Sequence, residues 1–290
     1  MDGKVVVITG ANVGIGLETA VALAEQGATT VLACRNLGKA ETAADEVRSR
    51  SQSSDVHVVA LDLADLESVK SCAETLLDRW GSLDVLVNNA GGIWSERHTT
   101  AQGFEQTFGV NHLGPFYLTN LLLDRLVSSA PARVVNLSSV GHHAAVTGMN
   151  WDDLQLERGY TAMGAYSQSK LANILFTRAL ASRYEADELT ANAVHPGPVR
   201  SGFGMDGDMT GLMGQMNKLV RPFEISPAAG ARTSIYLASS PNVAGKTGGY
   251  WARRRPGIMS LAARNDQAAA KLWDVSEELL ASAGFDLVGA

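Results

Sequence analysis

Residues Lys4–Ala28, KVVVITGANVGIGLETAVALAEQGA, decide how the rest of the chain is read. Val5 to Thr9 are apolar or β-branched throughout, the composition of a strand buried on both faces. From Gly14 the apolar residues take a helical period, and the pattern closes near Gly27. Between strand and helix stands TGANVGIG, Thr9 to Gly16, with glycines at 10, 14 and 16. Glycine permits a tight turn and close backbone approach to a pyrophosphate, which then sits on a helix N-terminus. The spacing is G-x-x-x-G-x-G rather than the usual dinucleotide G-x-G-x-x-G. Taken alone it is either a glycine-rich turn or a phosphate cradle. Its place directly after the first predicted strand favours the cradle.

Working outward, the same rhythm repeats. TTVLAC, VHVVALD, LDVLVNN, ARVVNLSS and LTANAVHPG read as five further strands, and GGYW as a short final one. Helical patterns lie between them: KAETAADEVRSR, LESVKSCAETLLDRWG, two stretches around VNHLGPFYLTNLLLDRL, and one opened by Tyr166 that runs to about Tyr184. A last helix is predicted near SPAAGARTSIYLAS. Apolar strands alternating with amphipathic helices predict a doubly wound parallel α/β sheet of Rossmann type, with helices on both faces. No Pro/Gly/Ser-rich linker or repeat divides residues 1–290, so a single domain is expected. Residues 141–164 and 198–225 break the rhythm. Both follow strand C-terminal ends, the edge where such sheets bind ligands, and are read as substrate loops.

Bulk properties narrow the function. A net charge of −6 argues against a nucleic-acid partner, which calls for a basic domain. The two cysteines, Cys34 and Cys72, both lie in apolar segments, so a disulfide framework is not expected and a reducing compartment fits. No signal-peptide pattern precedes the first strand, and no run reaches the ~18 apolar residues of a membrane span. A soluble, cytoplasmic protein is the expectation.

The end of the second strand discriminates between nicotinamide cofactors. An NAD site wants an acidic side chain there for ribose hydroxyls; an NADP site wants arginine for the 2′-phosphate. VLACRNLGK holds no Asp or Glu, but it holds Arg35, with Lys39 one turn on. This favours NADP(H) over NAD(H), with a merely solvated Arg35 as the other reading. Asp62, in LDLAD, could accept from an adenine amino group or cap the following helix.

In order along the chain stand TGANVGIG, LDLAD, NNAG at Asn88 to Gly91, VNHLG, NLSS, YSQSK and HPGPV. With these seven motifs the chain resembles the short-chain dehydrogenase/reductase family over nearly its whole length. ACRN, NLSSVGHH, SKLANILFTRAL and AAKLWDVSEELL look most like the retinol dehydrogenase branch. The resemblance implies a catalytic set. Tyr166 would give or take the substrate proton. Lys170, one helical turn away, would lower the tyrosine pKa and hold the nicotinamide ribose. Ser139 would hydrogen-bond the substrate oxygen, and Asn111 would hold a water linking Lys170 to solvent. Ser138 is adjacent, and Ser139 is chosen by its match to the motif. Cofactor contacts are implied for Gly10, Asn12, Gly14, Ile15 and Gly16 in the turn. They are likewise implied for Arg35, Asn36, Asp62 and Leu63, and for Asn89, Ala90, Gly91, Tyr166, Lys170 and Val199.

Two features depart from the family pattern. Val13 stands where many NADP-linked members carry a basic residue, so the cofactor preference rests on Arg35. Ser139 lies 27 residues before Tyr166, an unusually long spacing. His142 and His143 fall in that stretch without a carboxylate or cysteine at ligand spacing and are read as loop residues, so no metal is expected. On the substrate side, Met205, Met209, Met213 and Met216 recur at helical spacing, as core packing or as a pliable lid. Trp94, Trp151 and Tyr160 fall on the same edge. A small hydrophobic carbonyl or alcohol is the expected substrate. Arg253 to Arg255 form the one basic run, a solvated turn or a contact within a homodimer or homotetramer. Two other functions stay open: an NAD-linked alcohol dehydrogenase, and a non-catalytic nucleotide-sensing protein of the same fold.

Overall fold

Val5 and Val7 point to one side of strand β1 (Val5–Thr9), Val6 and Ile8 to the other, and all four are buried. A strand with two apolar faces needs cover on both. The computed structural model, which describes residues 1–199 and 224–287, supplies it. Strands β2 (Thr29–Cys34), β3 (Val56–Ala60), β4 (Val85–Asn88), β5 (Ala132–Leu137), β6 (Leu189–His195) and β7 (Tyr250–Ala252) run parallel to β1 in one sheet. A two-residue strand, β8 (Arg255–Pro256), closes the edge antiparallel to β7. The order is β3-β2-β1-β4-β5-β6-β7-β8, so the winding reverses between β1 and β4. A crevice opens at such a reversal, beyond the strand C-termini.

Helices α1 (Gly14–Ala24), α2 (Leu37–Ser51) and α7 (Pro227–Ser239) cover one face. Helices α3 (Leu66–Arg79), α5 (Gly114–Ser128) and α6 (Ala162–Ala181) cover the other. Side-chain caps start several of them: Asn36 accepts from Lys39 N, Asp65 from Glu67 N, and Ser226 from Ala229 N. A short turn, α4 (Gln106–Phe108), continues through a π-helical turn, Gly109–Leu113, into α5.

Three expectations change. The helix bearing Tyr166 begins four residues earlier, at Ala162, because the Thr161 hydroxyl accepts from Gly164 N and makes Gly164 part of the first turn. The helix at 227–239 is not the last. Asp266–Ser282 forms α8, which packs over α6 through Leu272, Trp273 and Leu280. Asp62 does not cap the helix after it: that cap is Asp65, while Asp62 accepts from Ala64 N at 2.9 Å. The arginine run forms a turn. Arg253 and Arg254 take left-handed φ angles of 51° and 61° between β7 and β8. The methionines at 205, 209, 213 and 216 lie outside the described residues, as does most of the second substrate loop.

Candidate active site

The strand ends meet at Thr9. Its hydroxyl accepts from the backbone N–H groups of both Asn89 and Ala90, at 3.0 Å each, tying the end of β1 to the end of β4. The side chain of Asn89 returns the contact by donating to the carbonyls of Thr9 (2.8 Å) and Gly10 (3.3 Å). Thr9 was not singled out from sequence; a hydroxyl residue directly before the glycine turn was the available signal. Gly10 and Gly14 adopt φ angles of 64° and 63°, which side chains resist. A Cβ on Gly10 would also lie 3.0 Å from Ala90. The glycines therefore keep the space above the turn open, as a pyrophosphate requires.

That space is part of a cavity of about 480 Å³ along the strand C-termini. Gly10, Asn12, Gly14 and Ile15 line it at the turn; Arg35, Asn36, Asp62 and Leu63 on the β2–β3 side; Asn89, Ala90, Gly91, Tyr166, Lys170 and Val199 on the β4–β6 side. Lys39, Trp94, Val110 and Ser138 join them. Gly16 does not line it. It sits within α1, where a Cβ would come 2.6 Å from both Asn89 Nδ2 and the Gly10 carbonyl. Its part is close packing beneath the turn. Asn36 lines the cavity and caps α2, so the N-terminus of that helix opens toward the site beside Arg35 and Lys39, both exposed. The cradle, the helix end and the two cations suit a phosphate-bearing dinucleotide.

At the β5–β6 side the four residues taken as catalytic come together. Tyr166 and Lys170 share one face of α6, with Lys170 Nζ 5.5 Å from the phenol ring centre. Lys170 is buried and donates to the Leu137 carbonyl at 3.3 Å. Burial drives its ammonium down from the usual lysine range to about 8. Burial also pushes the Tyr166 phenol up, against a hydrogen bond with the Ser139 hydroxyl that pulls it down. In the dinucleotide-free protein desolvation is the larger influence on the phenol, and it acts against the lowering expected from Lys170.

The two adjacent serines have different partners. Ser138 is buried and donates its hydroxyl to the Lys170 carbonyl at 2.7 Å. The Ser139 oxygen accepts from Gly141 N at 3.1 Å and meets Tyr166. Ser139 is the one whose hydroxyl meets the tyrosine.

Asn111 sits in the π turn. Its side chain is engaged by protein: Oδ1 accepts from Gly92 N (2.7 Å), and Nδ2 donates to the Gly92 carbonyl and the Ser169 hydroxyl (2.9 Å each). The ordinary helical donor to the Asn111 carbonyl would come from residue 115, and Pro115 has no N–H. A π turn at such a place is a recurrent feature of functional sites. Next to it, buried His112 donates through Nε2 to the Ser276 hydroxyl of α8 at 2.9 Å, since that hydroxyl itself donates to the Leu272 carbonyl. Tyr160 holds the other wall, its hydroxyl donating to the Trp94 carbonyl at 2.8 Å.

Comparison with known proteins places this geometry. The short chain dehydrogenase pattern matches residues 4–151. Human retinol dehydrogenase 12 is 46% identical over 97% of this chain and 87% of its own length. Mouse retinol dehydrogenase 11 is 43% identical over the same shares. A crystal structure from Mycobacterium paratuberculosis superposes with a TM-score of 0.77 at 37% identity, covering 99% of this chain and 95% of that one. The NADP active-site complex of Pseudomonas aeruginosa RhlG gives 0.69 at 25% identity, over 87% and 95%. The chain belongs to the short-chain dehydrogenase family, the NAD(P)-dependent oxidoreductases that act on CH–OH groups.

Proposed function

We propose that the chain is an NADP(H)-dependent oxidoreductase acting on a hydrophobic alcohol or carbonyl, with Tyr166 as the general acid and base. One observation carries this: a single cavity has Arg35 and Lys39 at one side and Tyr166 and Lys170 at the other, with the Ser139 hydroxyl hydrogen-bonded to that tyrosine. The bound dinucleotide supplies or accepts the hydride. The residues do the rest. Arg35 and Lys39, with the N-terminus of α2, receive the 2′-phosphate, and no carboxylate between Val31 and Ala40 opposes them. Ser139 and Tyr166 hydrogen-bond the substrate oxygen. In reduction the phenol gives its proton to that oxygen; in oxidation it takes one back. Lys170 holds the nicotinamide ribose, and a water on the Asn111 carbonyl links it to solvent.

Trp94 and Val110 in the cavity wall, and relatives named retinol dehydrogenases, support a lipophilic substrate. The two buried free thiols support a reducing compartment such as the cytoplasm.

The test is a fluorescence titration with NADPH and NADH, followed by a screen of aldehydes and ketones. Arg35→Ala is expected to weaken NADPH roughly 10- to 100-fold, the worth of a charge-assisted hydrogen bond, and to leave NADH nearly unchanged. Tyr166→Phe is expected to bind NADPH normally and lose roughly 10²–10⁴ in turnover. Equal loss for both cofactors in Arg35→Ala returns the reading to an NAD-linked enzyme. Full turnover in Tyr166→Phe removes the tyrosine from the mechanism.

A further inference from the structure

His142 follows Ser139 by three residues, in a 3₁₀ turn (Val140–Ala144) after β5, and it is fully buried. Its Nδ1 lies 2.6 Å from the Ser139 carbonyl oxygen, and its Nε2 lies 3.2 Å from the backbone N–H of Ser260. A carbonyl only accepts and a backbone N–H only donates. One neutral tautomer satisfies both, with the proton on Nδ1 and the lone pair on Nε2. The Tyr250 ring packs edge-on against this imidazole at 5.0 Å. The next two N–H groups along the turn are also held: Val140 donates to His195 Nδ1 at 3.3 Å, and Gly141 donates to the Ser139 hydroxyl oxygen at 3.1 Å. There is no slack beside them, since a Cβ on Gly141 would lie 3.1 Å from the Tyr166 ring.

We propose that His142 is a positioning residue: its Nδ1–H grips the Ser139 carbonyl and so fixes where the Ser139 hydroxyl meets Tyr166 and the substrate oxygen. This rests on the roles proposed above for Ser139 and Tyr166. The consequence reaches the tyrosine. Burial pushes the phenol up, and the Ser139 hydrogen bond opposes it. If the Ser139 turn loosens, that opposition fades and the phenolate becomes harder to form. The groups that face Tyr166 are Lys170 on its own helix, Tyr250 from β7 and Ser139. Those that face His142 are His143, His195 and Tyr250, with Arg253 acting on His195.

Two amide substitutions separate positioning from buttressing. In His142→Asn the side-chain amide can stand where Nδ1–H stood and donate to Ser139, while the Ser260 contact is lost. In His142→Gln the amide oxygen can stand where Nε2 stood and accept from Ser260, while the Ser139 contact is lost. His142→Asn is expected to keep turnover within about threefold of the wild type, with the same pH inflection for alcohol oxidation. His142→Gln is expected to lose at least tenfold in kcat, on the order seen for misplaced oxyanion donors, with that inflection moved to higher pH and NADPH affinity unchanged. Gln as active as Asn, or Asn as impaired as Gln, overturns the proposal. Ser139→Ala is the control on the underlying reading. Wild-type kcat there overturns the role of Ser139 itself, whereas a large loss there with two normal amide variants overturns His142 alone. ¹⁵N-histidine spectra of the wild-type protein with NADPH give a reading that needs no variant to fold. The Nδ1–H tautomer is expected at His142, and the Nε2–H tautomer overturns the proposal.

Discussion

Lys170 is the residue whose two roles conflict. An ammonium buried on every side, with one carbonyl at 3.3 Å, is a costly group for the fold. Burial drives its folded pKa down to about 8, from the ordinary lysine value of about 10.4. For a depressed base the folded state resists the charged form. Stability is therefore reduced below pH 8 and recovers as pH climbs from the folded to the unfolded value. Lys170→Met keeps most of the stem and removes the charge. It is expected to raise the stability of the dinucleotide-free protein at pH 7 by up to about 3 kcal/mol, read from urea midpoints. The same variant is expected to lose most alcohol oxidation, with residual rates still climbing at pH values where the wild type levels off. A variant no more stable than the wild type would show the ammonium to be better solvated than its burial implies. At this scale the sequence was informative where a motif fixes the residue type. Asn111, Ser139, Tyr166 and Lys170 were named from spacing and likeness, and the chain brings them together. It was silent on what desolvation does, because burial is a property of the folded surroundings and not of Y-x-x-x-K.

The elements were legible where the apolar period is clean. Thr29–Cys34 reads as a strand from its letters and folds as one to the residue. The α6 start was misplaced because Gly164 reads as a break, while a capping threonine three residues earlier absorbs it. The π turn was missed because a single widened turn leaves no period of its own in the letters GVNHL, and only Pro115 hints at the displaced hydrogen bond. Helix α8 was overlooked although its pattern was in view; its burial depends on α6, a partner distant in sequence. That docking is dominated by Trp273, whose ring lies 5.0 Å from Phe116 and 5.9 Å from Phe176, with the Arg183 guanidinium 3.9 Å from its centre. Trp273→Ala is expected to cost about 3–5 kcal/mol in urea unfolding. It should also lower turnover, since α8 steadies His112 beside Asn111 through Ser276. Lost stability with unchanged kcat would limit α8 to a structural role.

For the molecule as a whole, two buried histidines, His112 and His142, and the half-buried His195 resist protonation. Burial holds His112 at about 3 and His195 at about 4, and it lowers His142 as well. Each is depressed below the free value of about 6.5. The unfolded chain therefore binds protons that the folded chain refuses. The stability they contribute is full above pH 6.5 and drains away as pH falls through 6.5 toward 4 and 3. Urea midpoints are expected to fall steadily from pH 7.5 to pH 4.5, with His112→Phe flattening the slope. A midpoint independent of pH over that range would mean these rings titrate as if exposed. Two of the three, His142 and His195, stand against the turn of Ser139. Acid is thus expected to loosen the catalytic edge before it melts the opposite side of the sheet.

The contact between His112 and Ser276 joins residues 164 positions apart. Every strand of the sheet is made before Ser276 leaves the ribosome. A nascent chain can therefore assemble its dinucleotide cradle around Thr9 and Asn89 while the turn that carries Asn111 still lacks its anchor. The cradle is thus expected to form first, and the anchor of the Asn111 turn to come only with α8.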